Sequence, residues 1–89
     1  MRRENEYILN ALKNNRGFIA AQRASDLNKA DSKSITQIIQ DAPEDLDKCY
    51  IEESFEKLID KTYLTKMDPE GHYMITGRCS EIKQFLKEE

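Results

Sequence analysis

The sequence predicts a mainly α-helical domain carrying one small β-hairpin, on three observations. Ile51, Phe55, Leu58 and Ile59 recur at i, i+4, i+7 and i+8, the apolar stripe of an amphipathic helix. The period then changes, and two β-prone runs, 63–67 and 72–76, flank Asp68-Pro69-Glu70-Gly71, where proline and glycine carry turn chemistry. Three glycines and two prolines in 89 residues are too few for a loop-rich or low-complexity chain.

Each element follows in order. A first helix is expected over 4–15, with Tyr7, Ile8, Ala11 and Leu12 on one face and Gly17 as its left-handed stop. A second, over 18–28, has a small-residue face from Ala20, Ala24 and Leu27. A third, over 33–41, sets Ile35, Ile38 and Ile39 against a polar side of Lys33, Ser34, Thr36, Gln37 and Gln40. Pro43 breaks it, and the acidic run 43–47 reads as an exposed loop or the start of the next helix. The helix over 48–61 is the clearest. The hairpin covers 63–76, Gly77 ends its second strand, and Ser80 is placed to cap a last helix over 80–88 bearing Ile82, Phe85 and Leu86. With no repeat and no linker, residues 1–89 are expected to form one domain.

Lys plus Arg is 14 and Asp plus Glu is 17, giving a net charge of −3 and a pI near 5.2. That balance excludes an indiscriminate basic nucleic-acid coat, whose usual footprint is a pI above about 9, but not a local basic patch. The N-terminal residues contain no apolar run of signal-peptide or membrane-spanning length, and Cys49 and Cys79 are too few for a disulfide framework. A cytoplasmic protein without a membrane segment is expected. Cys49, His72 and Cys79 contain no CxxC pair and do not suggest a zinc site. No glycine-rich phosphate loop occurs, and Ser80-Glu81-Ile82-Lys83 spells S-x-x-K without a companion motif. We therefore expect no enzyme and no cofactor.

The stretch Phe55-Glu56-Lys57-Leu58-Ile59-Asp60-Lys61-Thr62-Tyr63-Leu64, followed by Asp68-Pro69-Glu70-Gly71-His72-Tyr73-Met74-Ile75-Thr76, resembles the last helix and wing of bacterial and archaeal winged helix-turn-helix regulators. The resemblance runs from Ser34 onward, with Tyr7–Leu12 standing where that family has its first helix. It implies a winged-helix fold with an extra C-terminal helix, duplex DNA binding, transcription regulation, and a homodimer through helix 4–15 and Ile82, Phe85 and Leu86. Thr62 departs from the family, which usually has glycine there, and 17–47 has room for one helix more than the minimal fold. A second resemblance, of Leu58-Ile59-Asp60-Lys61-Thr62-Tyr63-Leu64-Thr65-Lys66 to the C-terminal winged-helix module of cullins, implies a protein-interaction domain without DNA binding.

A recognition helix needs an outer stripe of donors free of carboxylates. At about 100° per residue, Tyr50, Ser54, Lys57 and Lys61 form such a stripe on helix 48–61, with Glu52, Glu53, Glu56 and Asp60 gathered opposite. Lys57 and Ser54 are expected at the major groove and Tyr50 and Lys61 on phosphates, with Lys33 and Gln37 as auxiliary contacts. A rival register makes 33–41 the reading helix. Lys66, His72 and Arg78 would add positive charge on and after the wing, and Arg2 and Arg3 either form a basic arm or a disordered start. The competing expectation is a basic protein partner on the acidic face of Glu52, Glu53 and Glu56.

Overall fold

Two side-chain caps set the starts of the central helices. Ser34 Oγ accepts from the Gln37 amide at 3.1 Å and opens α2 (Ile35–Gln40), and Asp47 Oδ1 accepts from the Tyr50 amide at 3.2 Å and opens α3 (Lys48–Asp60). The computed structural model describes residues 1–14 and 33–88, so the helix expected over 18–28 and the Gly17 stop lie outside the described residues. Around those two helices stand α1 (Arg3–Asn14), the antiparallel strands β1 (Leu64–Lys66) and β2 (Tyr73–Ile75), and α4 (Cys79–Glu88). The protein is thus mainly helical with one small hairpin, as the sequence predicts.

Boundaries differ where caps decide them. The expected 33–41 helix shortens to α2 because Ser34 is its N-cap and the Asp41 amide closes back on the Gln37 carbonyl. The last helix starts one residue earlier than expected. The Arg78 carbonyl takes the amides of Glu81 and Ile82, leaving Ser80 inside the first turn and not at the cap. The acidic connection 41–47 is anchored, since Ala42 and Leu46 are both buried.

The core collects Ile8 and Leu12 from α1, Ile35 and Ile38 from α2, Ile51, Phe55 and Leu58 from α3, Leu64 and Tyr73 from the hairpin, and Ile82 and Leu86 from α4. α1 lies against both α3 and α4, and α2 lies against α3. The Tyr7 hydroxyl donates to the Ile38 carbonyl at 2.6 Å, satisfying an acceptor in the last turns of α2. No helix among the described residues is long and apolar enough to cross a membrane.

The passage from α3 into β1 is a tight reversal. The Thr62 amide bonds to the Ile59 carbonyl and the Tyr63 amide to the Leu58 carbonyl, both at 3.0 Å, the paired closure of a Schellman motif. That motif needs a left-handed residue after the cap, and Thr62 supplies it with φ of 62°, a β-branched residue where glycine is usual. The hairpin pairs Leu64 with Ile75, Thr65 with Met74 and Lys66 with Tyr73. Its far end is pinned to α2: the Gly71 carbonyl accepts from the Ile35 amide at 2.8 Å and the Glu70 carbonyl from Thr36 Oγ1 at 2.8 Å. Gly71 has φ of +92°, and a Cβ there would stand 3.1 Å from Ile35 Cβ.

Two stability outcomes follow from these turns. Thr62→Gly is expected to stabilise the fold by about 0.5–1 kcal/mol, because relief of the left-handed penalty of roughly 1–2 kcal/mol exceeds the added backbone entropy of glycine. Gly71→Ala should lower stability by more than about 1 kcal/mol, as both the dihedral and the contact oppose a Cβ. Urea midpoints at constant m-value measure both.

Candidate interaction face of α3

The stripe expected to read DNA is largely the side of α3 that faces α1 and α4. Ser54 is 2% exposed and belongs to the interior, which corrects its assignment to the outer surface. Tyr50 is half-buried: its hydroxyl accepts from Asn5 Nδ2 at 3.2 Å and its ring lies 3.7 Å beneath the Arg2 guanidinium. Lys61 is exposed at the C-cap, with its ammonium 5.6 Å over the Phe85 ring of α4. Lys57 is exposed on the flank of this side. The apolar periodicity marks Ile51, Phe55 and Leu58 as buried, but a small residue beside them goes wherever the neighbouring helices stand.

The remaining expected contacts are scattered. Lys33 and Gln37 are exposed, but both turn to Asp41, at 3.1 Å and 2.8 Å. Together they hold the Asp41 carboxyl below its ordinary value, Lys33 contributing most. Lys66 is exposed on β1 and Arg78 is exposed ahead of α4. His72 is buried, not displayed on the hairpin. Arg2 and Arg3 form no loose arm: Arg2 bonds Glu4 at 2.9 Å, and Arg3 pairs with Asp45. Of the residues expected at a dimer seam, Ile82 and Leu86 are buried in the protein's own core, and Phe85 is half-buried, edge-on to Tyr63 at 6.0 Å.

The solvent side of α3 instead carries Glu52, Glu53, Glu56 and Asp60. Beside it, α2, α3 and the hairpin enclose a groove of about 120 Å³. Its apolar walls come from Ile35, Ile39, Phe55 and Ile59, and Glu52, Glu56, Glu70 and Lys66 also line it. Small-molecule pockets run to roughly 300–1,000 Å³, so this space suits one side chain better than a metabolite. A shallower depression of about 320 Å³ between the end of α3 and α4 is lined by Lys61, Glu81 and Glu88 among others.

Two carboxylate clamps hold the frame, Glu4 buried and Asp68 half-buried. Glu4 Oε2 accepts from the Asp47 amide at 3.1 Å and Oε1 from Arg2, tying the start of α1 to the cap of α3. The Asp47 amide, with help from Arg2, holds the Glu4 carboxyl down at about 2. In the hairpin loop Asp68 Oδ1 accepts from the amides of Gly71 and His72, and Oδ2 meets His72 Nδ1 at 2.6 Å. Burial pushes the Asp68 carboxyl up, but the His72 amide and ring outweigh it and bring it to about 2. Ligand atoms of Asp68, Glu70 and His72 lie within 4.8 Å of one another. The geometry accounts for them as a loop clamp, since Asp68 is fully engaged by the loop it closes.

Neither clamp was legible as a site; the only signal was an acid four residues before a histidine across a turn. Asn5, fully buried, was equally hidden: its Nδ2 donates to the Leu86 carbonyl at 2.8 Å, while Oδ1 accepts no hydrogen bond among the described residues.

Both clamped carboxyls titrate lower in the folded protein than their ordinary values of 4.5 and 3.8. Their stabilisation is therefore complete above that range and is lost as pH falls toward 2, where the unfolded chain binds the protons first. Glu4→Gln and Asp68→Asn should each lower the Tm at pH 7 and flatten its decline between pH 4.5 and 2, measured by circular dichroism.

No protein-family model, curated protein or solved structure matches this chain.

Proposed function

We propose that this chain is a protein-interaction module of winged-helix type that receives a basic segment of another protein on the acidic side of α3. One observation carries the reading. The arc of the hairpin-adjacent helix left to solvent is a row of carboxylates, Glu52, Glu53, Glu56 and Asp60, while Tyr50 and Ser54 turn inward. Phosphates would meet like charge along that arc, and the exposed Lys57 and Lys61 stand at its border and beyond. A cationic partner meets complementary charge there, which speeds encounter and fixes orientation. The order of helix, tight turn and hairpin supports the winged-helix part of the proposal, as does the left-handed turn at Thr62, where the regulators place glycine.

On this reading the chain does not retard random-sequence duplex DNA in a gel shift at 50 or 200 mM salt, a range over which phosphate-driven binding changes by orders of magnitude. A basic partner cross-linked to the native protein is lost on Glu53→Lys with Glu56→Lys. Salt-sensitive DNA retardation abolished by Lys57→Glu with Lys61→Glu would replace the proposal with the DNA-binding alternative.

A further inference from the structure

Resting on that reading, we infer that the groove between α2, α3 and the hairpin loop seats one apolar side chain of the partner, flanked by lysine or arginine residues that pair with Glu52, Glu56 and Glu70. The occupant is a short linear segment of another protein in which a leucine-sized residue sits among cations.

Three features converge on this occupant. The first is the floor: Ile39 and Ile59 remain half-buried at the groove while Phe55 closes it from beneath. Covering the two isoleucines would complete their burial and remove apolar surface from water. A space of about 120 Å³ limits the anchor to a single side chain.

The second is charge. Glu52 and Glu56 are one helical turn apart, and Asp60 continues the same row. Like charges at i, i+4 modestly disfavour the helix. Glu70 brings a further carboxylate from the opposite wall, and Lys66 is the only cation among the described lining residues. Cations on either side of an apolar anchor would relieve that repulsion. An anionic or purely apolar segment would not.

The third is that the walls are already fixed. The backbone of Glu70 and Gly71 is bonded to Thr36 and Ile35, and Asp68 closes the loop from within through His72. Binding therefore orders little of the protein, which favours a short ligand that itself contributes limited area.

The probe is a fluorescein-labelled peptide of sequence Lys-Arg-Leu-Arg-Lys, followed by anisotropy and by amide chemical shifts on the full chain. Saturable binding is expected, weakening about tenfold when leucine becomes serine, and about tenfold again for Glu52→Gln with Glu56→Gln or when Glu70→Gln is added. These exposed substitutions should leave the Tm unchanged or slightly raised, so lost binding does not report lost folding. Shifts should centre on Ile39, Ile59 and Glu70. Shifts confined to Glu53 and Lys57 with no dependence on the leucine would overturn the groove and leave the acidic-face function standing. Absence of peptide binding at millimolar concentration also overturns the groove, and duplex DNA binding in its place overturns both.

Discussion

How much of α3 is covered, and by what, is the constraint from which the rest follows. A thirteen-residue helix turning about 100° per residue offers three broad sides, and here two are taken. α1 and α4 occupy the side of Tyr50, Ser54 and Lys61, through Asn5, Arg2 and Phe85. α2 and the hairpin approach the side of Phe55 and Ile59. The third side stays in water and is acidic. What α3 can recognise is decided less by which residues it carries than by which side its neighbours leave open.

That division explains what the sequence made legible. Helix 48–61, the hairpin around Pro69 and Gly71, and the last helix all emerge from local pattern, because periodicity and turn chemistry act within a few residues. The angular position of the α1–α4 flank is a tertiary fact with no local signal. Serine and tyrosine are the residues most easily misassigned by periodicity: one is small enough for any interface, and the other is apolar along most of its length with a polar tip. Periodicity accordingly sets Ser54 and Tyr50 on the outer stripe, whereas Ser54 is buried and Tyr50 half-buried. The acids Glu52, Glu53 and Glu56 were placed correctly, since carboxylates are almost never buried without a partner. The same logic explains why Glu4 escaped notice. Its burial is tolerated because the distant Asp47 amide and the neighbouring Arg2 side chain both donate to it.

Thr62 connects local strain to the candidate site. The reversal after Lys61 must be abrupt for Leu64 to enter the core directly behind Leu58, and the Schellman closure achieves this in two residues. A threonine in the left-handed region is unfavourable in itself. Its setting offsets part of that, as Thr62 Oγ1 donates to the Lys61 carbonyl and the Thr62 carbonyl accepts from Thr76 Oγ1, both at 2.6 Å. The second bond ties the root of the hairpin together across β1 and β2. Gly77 completes the closure, approaching Tyr63 so closely that a Cβ would stand 2.7 Å from its ring. The hairpin is therefore held at both ends, by Thr62, Thr76 and Gly77 at its root and by Gly71 and Glu70 on α2 at its tip.

A hairpin bonded at both ends holds its tip against α2, beside the acidic row of α3. Repulsion along Glu52, Glu56 and Asp60 would be eased by a single lysine at position 52 or 56, a change that disturbs no buried contact. The bonds from Ile35 and Thr36 hold the backbone of Gly71 and Glu70 beside α2, which keeps the Glu70 side chain rooted on the groove wall. Three carboxylates against one lysine thus stand over half-buried isoleucines, at a small cost to the isolated helix. A cation seated over the groove would convert mutual repulsion into attraction at each of the three carboxylates that surround it.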